Sequence, residues 1–167
     1  MSIVISGRIA EMLKRESGRH GLTPEEYLLE ILTRDLDPGE KAREYMEASL
    51  NLVEQAEKEL EKGDLRQASE KIWGACVLAI KAHALAKKGL KLETHRDLWL
   101  YKNEVARELG EWVKIVFRQA DSMYKNFYED LATREDVEDV LKEVKKLVTT
   151  IRSNVERLQS SDPPHRQ

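Results

Sequence analysis

The sequence predicts an all-α protein, an up-and-down helical bundle with a small N-terminal strand and two-helix extension. Three observations carry this. Apolar residues return at steps of three and four along most of the chain, and helix-start signals recur at Thr23, Asp37, Thr94 and Thr133. Between Ile72 and Ala86, Lys81 and His83 are the strongly polar residues. A helix without a solvated face must lie between other helices, so this segment is the centre of the fold.

Residues 1–36 read as an N-terminal arm and helix pair. Ser2 to Ser6 suits a short strand, and two helices follow, broken at Gly21. Thr23, Pro24 and Glu26 form a capping box with proline at the first helical position, where its missing N–H costs nothing. Residues 37–158 read as the bundle. Asp37-Pro38-Gly39-Glu40 starts its first helix, which runs to Lys62 before Gly63 and carries a narrow inward stripe of Ala42, Tyr45, Ser49, Leu52, Ala56 and Leu60. The next helix keeps the same beat through Leu65, Ala68, Ile72, Ala75, Ala79, Ala82 and Ala86, so the two form an antiparallel hairpin. Its many small residues, Gly74 among them, invite close helix approach. Thr94 with Asp97 caps a helix to about Leu109. A helix from Glu111 to Leu131 should bury Trp112, Val116, Ala120, Met123 and Phe127. Thr133 caps a last helix with an apolar seam from Val137 to Leu158. Residues 159–167, polar and proline-bearing, read as a disordered tail.

With 167 residues, a chain can bury roughly 70% of its unfolded surface, enough for one domain's core. Charged residues make up 35% and aromatics 6%, a balance of long exposed helices that also suits a heat-adapted organism. The net charge of −3 supplies no overall positive field, so any nucleic-acid contact must be a local patch. Lone Cys76 excludes a disulfide framework. His20, His83 and His95 fall in different elements without metal-ligand spacing, so no metal and no cofactor is expected. No charged leader with an apolar run and cleavage site is present, and the longest apolar run, about 15 residues with Lys81 inside, is too short for a bilayer. A cytoplasmic protein without membrane contact is the expectation.

The segment Arg118 to Asp130, RQADSMYKNFYED, resembles the second signature region of the HEPN superfamily. The segments TPEEYLLEILTRDLDPGEKA, GDLRQASEKIWGA and THRDLW extend the likeness to the archaeal PaREP family within it. The resemblance implies a HEPN-like bundle, a homodimer packed along the central helices, and partners such as RNA, a nucleotide or a nucleotidyltransferase. Catalytic members of the superfamily are metal-independent endoribonucleases. They place a histidine four to six residues after an arginine, one group to activate the ribose hydroxyl and one to hold the phosphate. Here Arg118 matches the arginine, Gln119 follows it, and Tyr124 occupies the position of the histidine. Tyrosine is protonated at neutral pH and serves poorly as a base.

The sequence therefore favours a noncatalytic binding module. Its candidate nucleotide or RNA contacts are Arg118, Lys125, Asn126 and Tyr128. A diverged ribonuclease using Arg118, Tyr124 or His95 is the competing reading. The plain structural alternative pairs Arg118 with Asp121 one turn on. The arm resembles the strand-helix-helix order of ribbon-helix-helix DNA-binding proteins. Its strand offers Ser2 and Ser6 beside Ile3, Val4 and Ile5, too few polar side chains for base readout, so a DNA-binding autoregulator is the weakest reading. A two-helix unit cannot bury Leu13, Leu28, Leu32 and Leu36 alone, which favours an arm that docks or extends an interface.

Overall fold

The computed structural model describes residues 2–161. Seven helices account for the regular structure there: α1 (Gly7–Arg19), α2 (Pro24–Leu32), α3 (Pro38–Glu61), α4 (Leu65–Lys88), α5 (His95–Leu109), α6 (Trp112–Glu129) and α7 (Arg134–Ser160). They fall into two compact units, Met1–Leu36 and Asp37–Gln167. Among the described residues no helix is long and apolar enough to cross a membrane.

In the first unit α2 starts as its sequence dictates. Thr23 accepts from the Glu26 amide at 3.2 Å, and the Glu26 carboxylate accepts from the Thr23 amide at 2.9 Å. The expected strand at Ser2–Ser6 is absent. That stretch is irregular and exposed, because β-branched apolar residues form a strand only when a second strand takes their backbone groups.

The second unit is built on α4. Its residues from Ile72 to Leu85 are all buried, as an apolar-all-round helix requires. The stripe Ala42, Tyr45, Ser49, Leu52, Ala56 and Leu60 of α3 is buried against it, and Ser49 Oγ donates to the Ala75 carbonyl at 2.7 Å across the hairpin. Gly74 permits that approach: a Cβ there would stand 3.0 Å from Leu52 Cδ1. The chain turns at Gly63 and again at Gly89, both with positive φ.

The stretch from Gly89 to Thr94 runs back along the bundle. His95 then lies beside Trp73, while Glu108 at the far end of α5 reaches His83 and Lys87, so α5 advances in the same sense as α4. Helix α6 returns. Arg66 at the start of α4 donates from Nε to the Phe127 carbonyl at 2.8 Å. On α6 the burial register differs from the sequence expectation, because Val113 and Phe117 fill the core while Trp112 and Phe127 are only partly covered. Trp112 instead donates its indole N–H to the Leu109 carbonyl at the α5–α6 junction.

Helix α7 closes the bundle along its expected seam, with Val137, Val144, Leu147 and Ile151 fully enclosed. It extends past the expected end. Gln159 and Ser160 are helical, and Gln159 joins α7 to the start of α3 by donating to the Gly39 carbonyl at 2.8 Å and accepting from Arg43 Nε at 3.2 Å. Ser161 caps the helix, and residues 162–167 of the expected tail lie outside the described residues.

Candidate functional site

The start of α5 is fixed by a cap and an internal bond. Thr94 and Asp97 form a full capping box, whose carboxylate accepts from both the Glu93 and Thr94 amides. Those bonds hold the Asp97 carboxyl below its ordinary range. The cap makes His95 the first helical residue and puts Trp99 one turn beyond it. Trp99 donates its indole N–H to His95 Nε2 at 2.8 Å.

One turn further, Lys102 is buried. Its ammonium donates to the Trp99 carbonyl at 2.6 Å and lies 4.4 Å from the Trp99 ring centre and 5.5 Å from that of Phe117. Burial lowers the Lys102 pKa, and the positive charges of Arg118 and Lys114 lower it further. Three cations therefore share one corner of the bundle.

Helix α6 brings the sequence candidates to this corner. Residues 118, 121, 125 and 128 lie along one face by their spacing. The expected Arg118–Asp121 pair does not form, because Asp121 Oδ1 stands 3.2 Å from His95 Nε2 on the neighbouring helix. Arg118 and Lys125 are exposed and make no ion pair among the described residues. Tyr124 and Tyr128 are 44% and 62% exposed, and their rings meet edge to face at 5.4 Å. The Trp73 ring of α4 underlies the cluster, 5.6 Å from His95, 6.1 Å from Tyr124 and 5.7 Å from Phe117. The structure thus unites His95, Arg118, Tyr124, Lys125 and Tyr128 on one surface.

Asn126 is the exception. It is buried, donates to Ser69 Oγ at 2.8 Å, and accepts from the Leu131 and Ala132 amides at 2.7 and 2.6 Å. Its side chain fastens the α6–α7 turn, where Asp130 takes positive φ, and does not reach the exposed surface.

Sequence reasoning missed Trp73, Trp99, Lys102 and the role of Asp121. The steps 95, 99 and 102 along one helix carry the signal for Trp99 and Lys102. Nothing local signals that Asp121 meets His95, because that contact joins two helices.

A second polar cluster anchors the opposite end of α5. His83, fully enclosed, bonds Tyr101 Oη through Nδ1 at 3.0 Å and Glu108 through Nε2 at 3.2 Å. Lys87 and Asn154 also bind the Glu108 carboxylate, Asn154 at 2.8 Å. This network joins α4, α5 and α7, and so fixes the helix that carries His95 and Lys102.

Fold and surface together define the class: an all-helical bundle protein with a mixed cationic and aromatic patch across α5 and α6. The chain belongs to the archaeal PaREP1/PaREP8 family, whose model matches residues 44–148, a span that includes every residue of the patch. It is also similar to the crystal structure of a Sulfolobus solfataricus protein, with 25% identity and a TM-score of 0.58 over 64% of this chain and 94% of that one. No curated protein matches the chain.

Proposed function

We propose that this chain is a noncatalytic, HEPN-like helical module of the cytoplasm, working as a homodimer, that binds single-stranded RNA or a nucleotide through the outer face of α6. One observation carries the reading. Two cations without carboxylate partners, Arg118 and Lys125, share the exposed side of α6 with two exposed tyrosine rings, Tyr124 and Tyr128. Phosphates suit the cations and unstacked bases suit the rings, which is how single strands are held without reading a groove. With a net charge of −3, no overall field assists, so binding through this patch should weaken as salt rises.

A second reading, a diverged metal-independent ribonuclease, draws on His95. It shares the Trp73 ring with Tyr124, so a histidine from α5 stands near the place where α6 lacks one. In that reaction His95 would take the ribose 2′-hydroxyl proton as that oxygen bonds to the phosphorus, Arg118 would hold the phosphate, and the 5′-oxygen would leave and take a proton from solvent.

Labelled single-stranded RNA incubated with the protein in EDTA separates the two readings. The binding reading expects the RNA to be bound and uncut, with about tenfold weaker binding by Arg118→Ala, the loss of one charge-assisted contact. Cleavage that disappears in Arg118→Ala would establish the ribonuclease instead.

A further inference from the structure

His95 Nε2 has two neighbours that require opposite states of the same atom. The Trp99 indole N–H donates to it at 2.8 Å and needs a lone pair there. Asp121 Oδ1 stands 3.2 Å away, and its negative charge makes an ion pair there only when the ring is protonated. One ring nitrogen cannot offer both.

We infer that His95 is a proton switch that regulates the α6 surface, an inference whose regulatory half rests on the RNA-binding reading above. In the neutral state the ring carries its hydrogen on Nδ1 and accepts from Trp99. Uptake of a solvent proton on Nε2 makes an imidazolium that pairs with the Asp121 carboxylate and releases the indole. Solvent reaches the ring, which is 54% exposed, whereas the Asp121 side chain is 18% exposed.

The charged and titratable surroundings are few. From α6 come Arg118, Asp121, Tyr124 and Lys125. From α5 come Arg96, Lys102 and Asp97, the last held in the Thr94 cap. From α4 comes the Trp73 ring, with Glu70 one turn before it.

Asp121 sits between Arg118 and Lys125 on the α6 face, so its charge opposes an incoming phosphate whenever His95 is neutral. The imidazolium cancels that charge. Anion binding therefore strengthens as pH falls, and by linkage a bound anion raises the proton occupancy of His95.

The experiment uses the full chain. The Trp99 indole N–H resonance, assigned with Trp99→Phe, is followed by NMR from about pH 8 to about pH 5, where imidazoles titrate. Binding of a labelled oligouridylate is measured over the same range. The switch expects a single step in the Trp99 signal, absent in His95→Gln, with its midpoint moved to lower pH in Asp121→Asn. Binding should tighten by about fivefold or more on acidification, and should become independent of pH in His95→Gln.

A Trp99 signal that stays flat, the mark of a ring fixed in its Nε2–H tautomer, overturns the switch, as does a midpoint indifferent to Asp121→Asn. A stepped Trp99 signal with no RNA bound at any pH supports the switch and overturns the binding reading. Binding that titrates equally in His95→Gln overturns the regulation.

Discussion

His83 and Glu108 are two ionisable residues whose folded surroundings set how the protein responds to acid. Burial lowers the His83 pKa below its ordinary 6.5, the Glu108 charge opposing and the Lys87 charge adding to the effect. An unfolded chain takes up that proton near 6.5 while the folded chain resists it, so stability falls as pH drops below this value. For Glu108, burial acts to raise the pKa. Hydrogen bonds from Lys87 and Asn154 and the nearby positive charge outweigh it, and the carboxyl sits at about 2 instead of 4.5. Its contribution is complete above 4.5 and is lost as pH falls toward 2. Thermal unfolding followed by circular dichroism should therefore show two successive losses on acidification, and Glu108→Gln should shrink the lower one, which Asp37, Asp97, Glu104 and Asp136 share because their carboxyls are also held low. A melting temperature constant from neutral pH down to pH 4 would contradict the network as described. Residue chemistry of this kind was only half legible in the chain: His83 was visible as a polar group inside an apolar helix, but its partners lie on two other helices. The same holds for Asn126, whose place in a cationic and aromatic segment suggests a ligand contact until the α6–α7 turn claims its amide.

At the scale of elements, starts were far more legible than ends or registers. Thr23, Asp37, Thr94 and Thr133 each accept from an amide three residues on, and such caps are local chemistry that a sequence states outright. The strand at Ser2–Ser6 was not, since a strand needs a partner that no local pattern supplies. The end of α7 was missed because Gln159 reads as tail until α3 offers it Gly39 and Arg43. The α5–α6 junction is the element most exposed to substitution. Gly110 has φ +113, and a Cβ there would lie 2.9 Å from Trp112 Cδ1. Gly110→Ala should cost about 2 kcal/mol through backbone strain and that overlap, a fall of roughly 6 °C in Tm for a domain of this size. An unchanged Tm would show that the junction tolerates another path. Helices α5 and α6 carry the patch, so the same variant should also misplace His95 relative to Asp121.

On the scale of the whole molecule, the helical bundle followed from periodicity, whereas the candidate segment was named from its cationic, amide and aromatic residues, of which Asn126 turns inward. The pairing of His95 with Asp121 did not follow from either, because it depends on how the turn at Gly110 folds α6 back along α5. Under the proposed reading, a chain of net charge −3 that holds RNA through Arg118 and Lys125 would show it in the salt dependence of binding. The most direct measurement is the salt dependence of oligouridylate binding for the wild-type chain and for Arg118→Ala/Lys125→Ala. If both cations meet phosphates, the slope of log affinity against log salt should shrink in magnitude by about 1.4 in the double variant, roughly 0.7 for each single-strand phosphate contact. Equal affinity and equal slope in the two proteins would contradict the account and remove α6 as the binding surface.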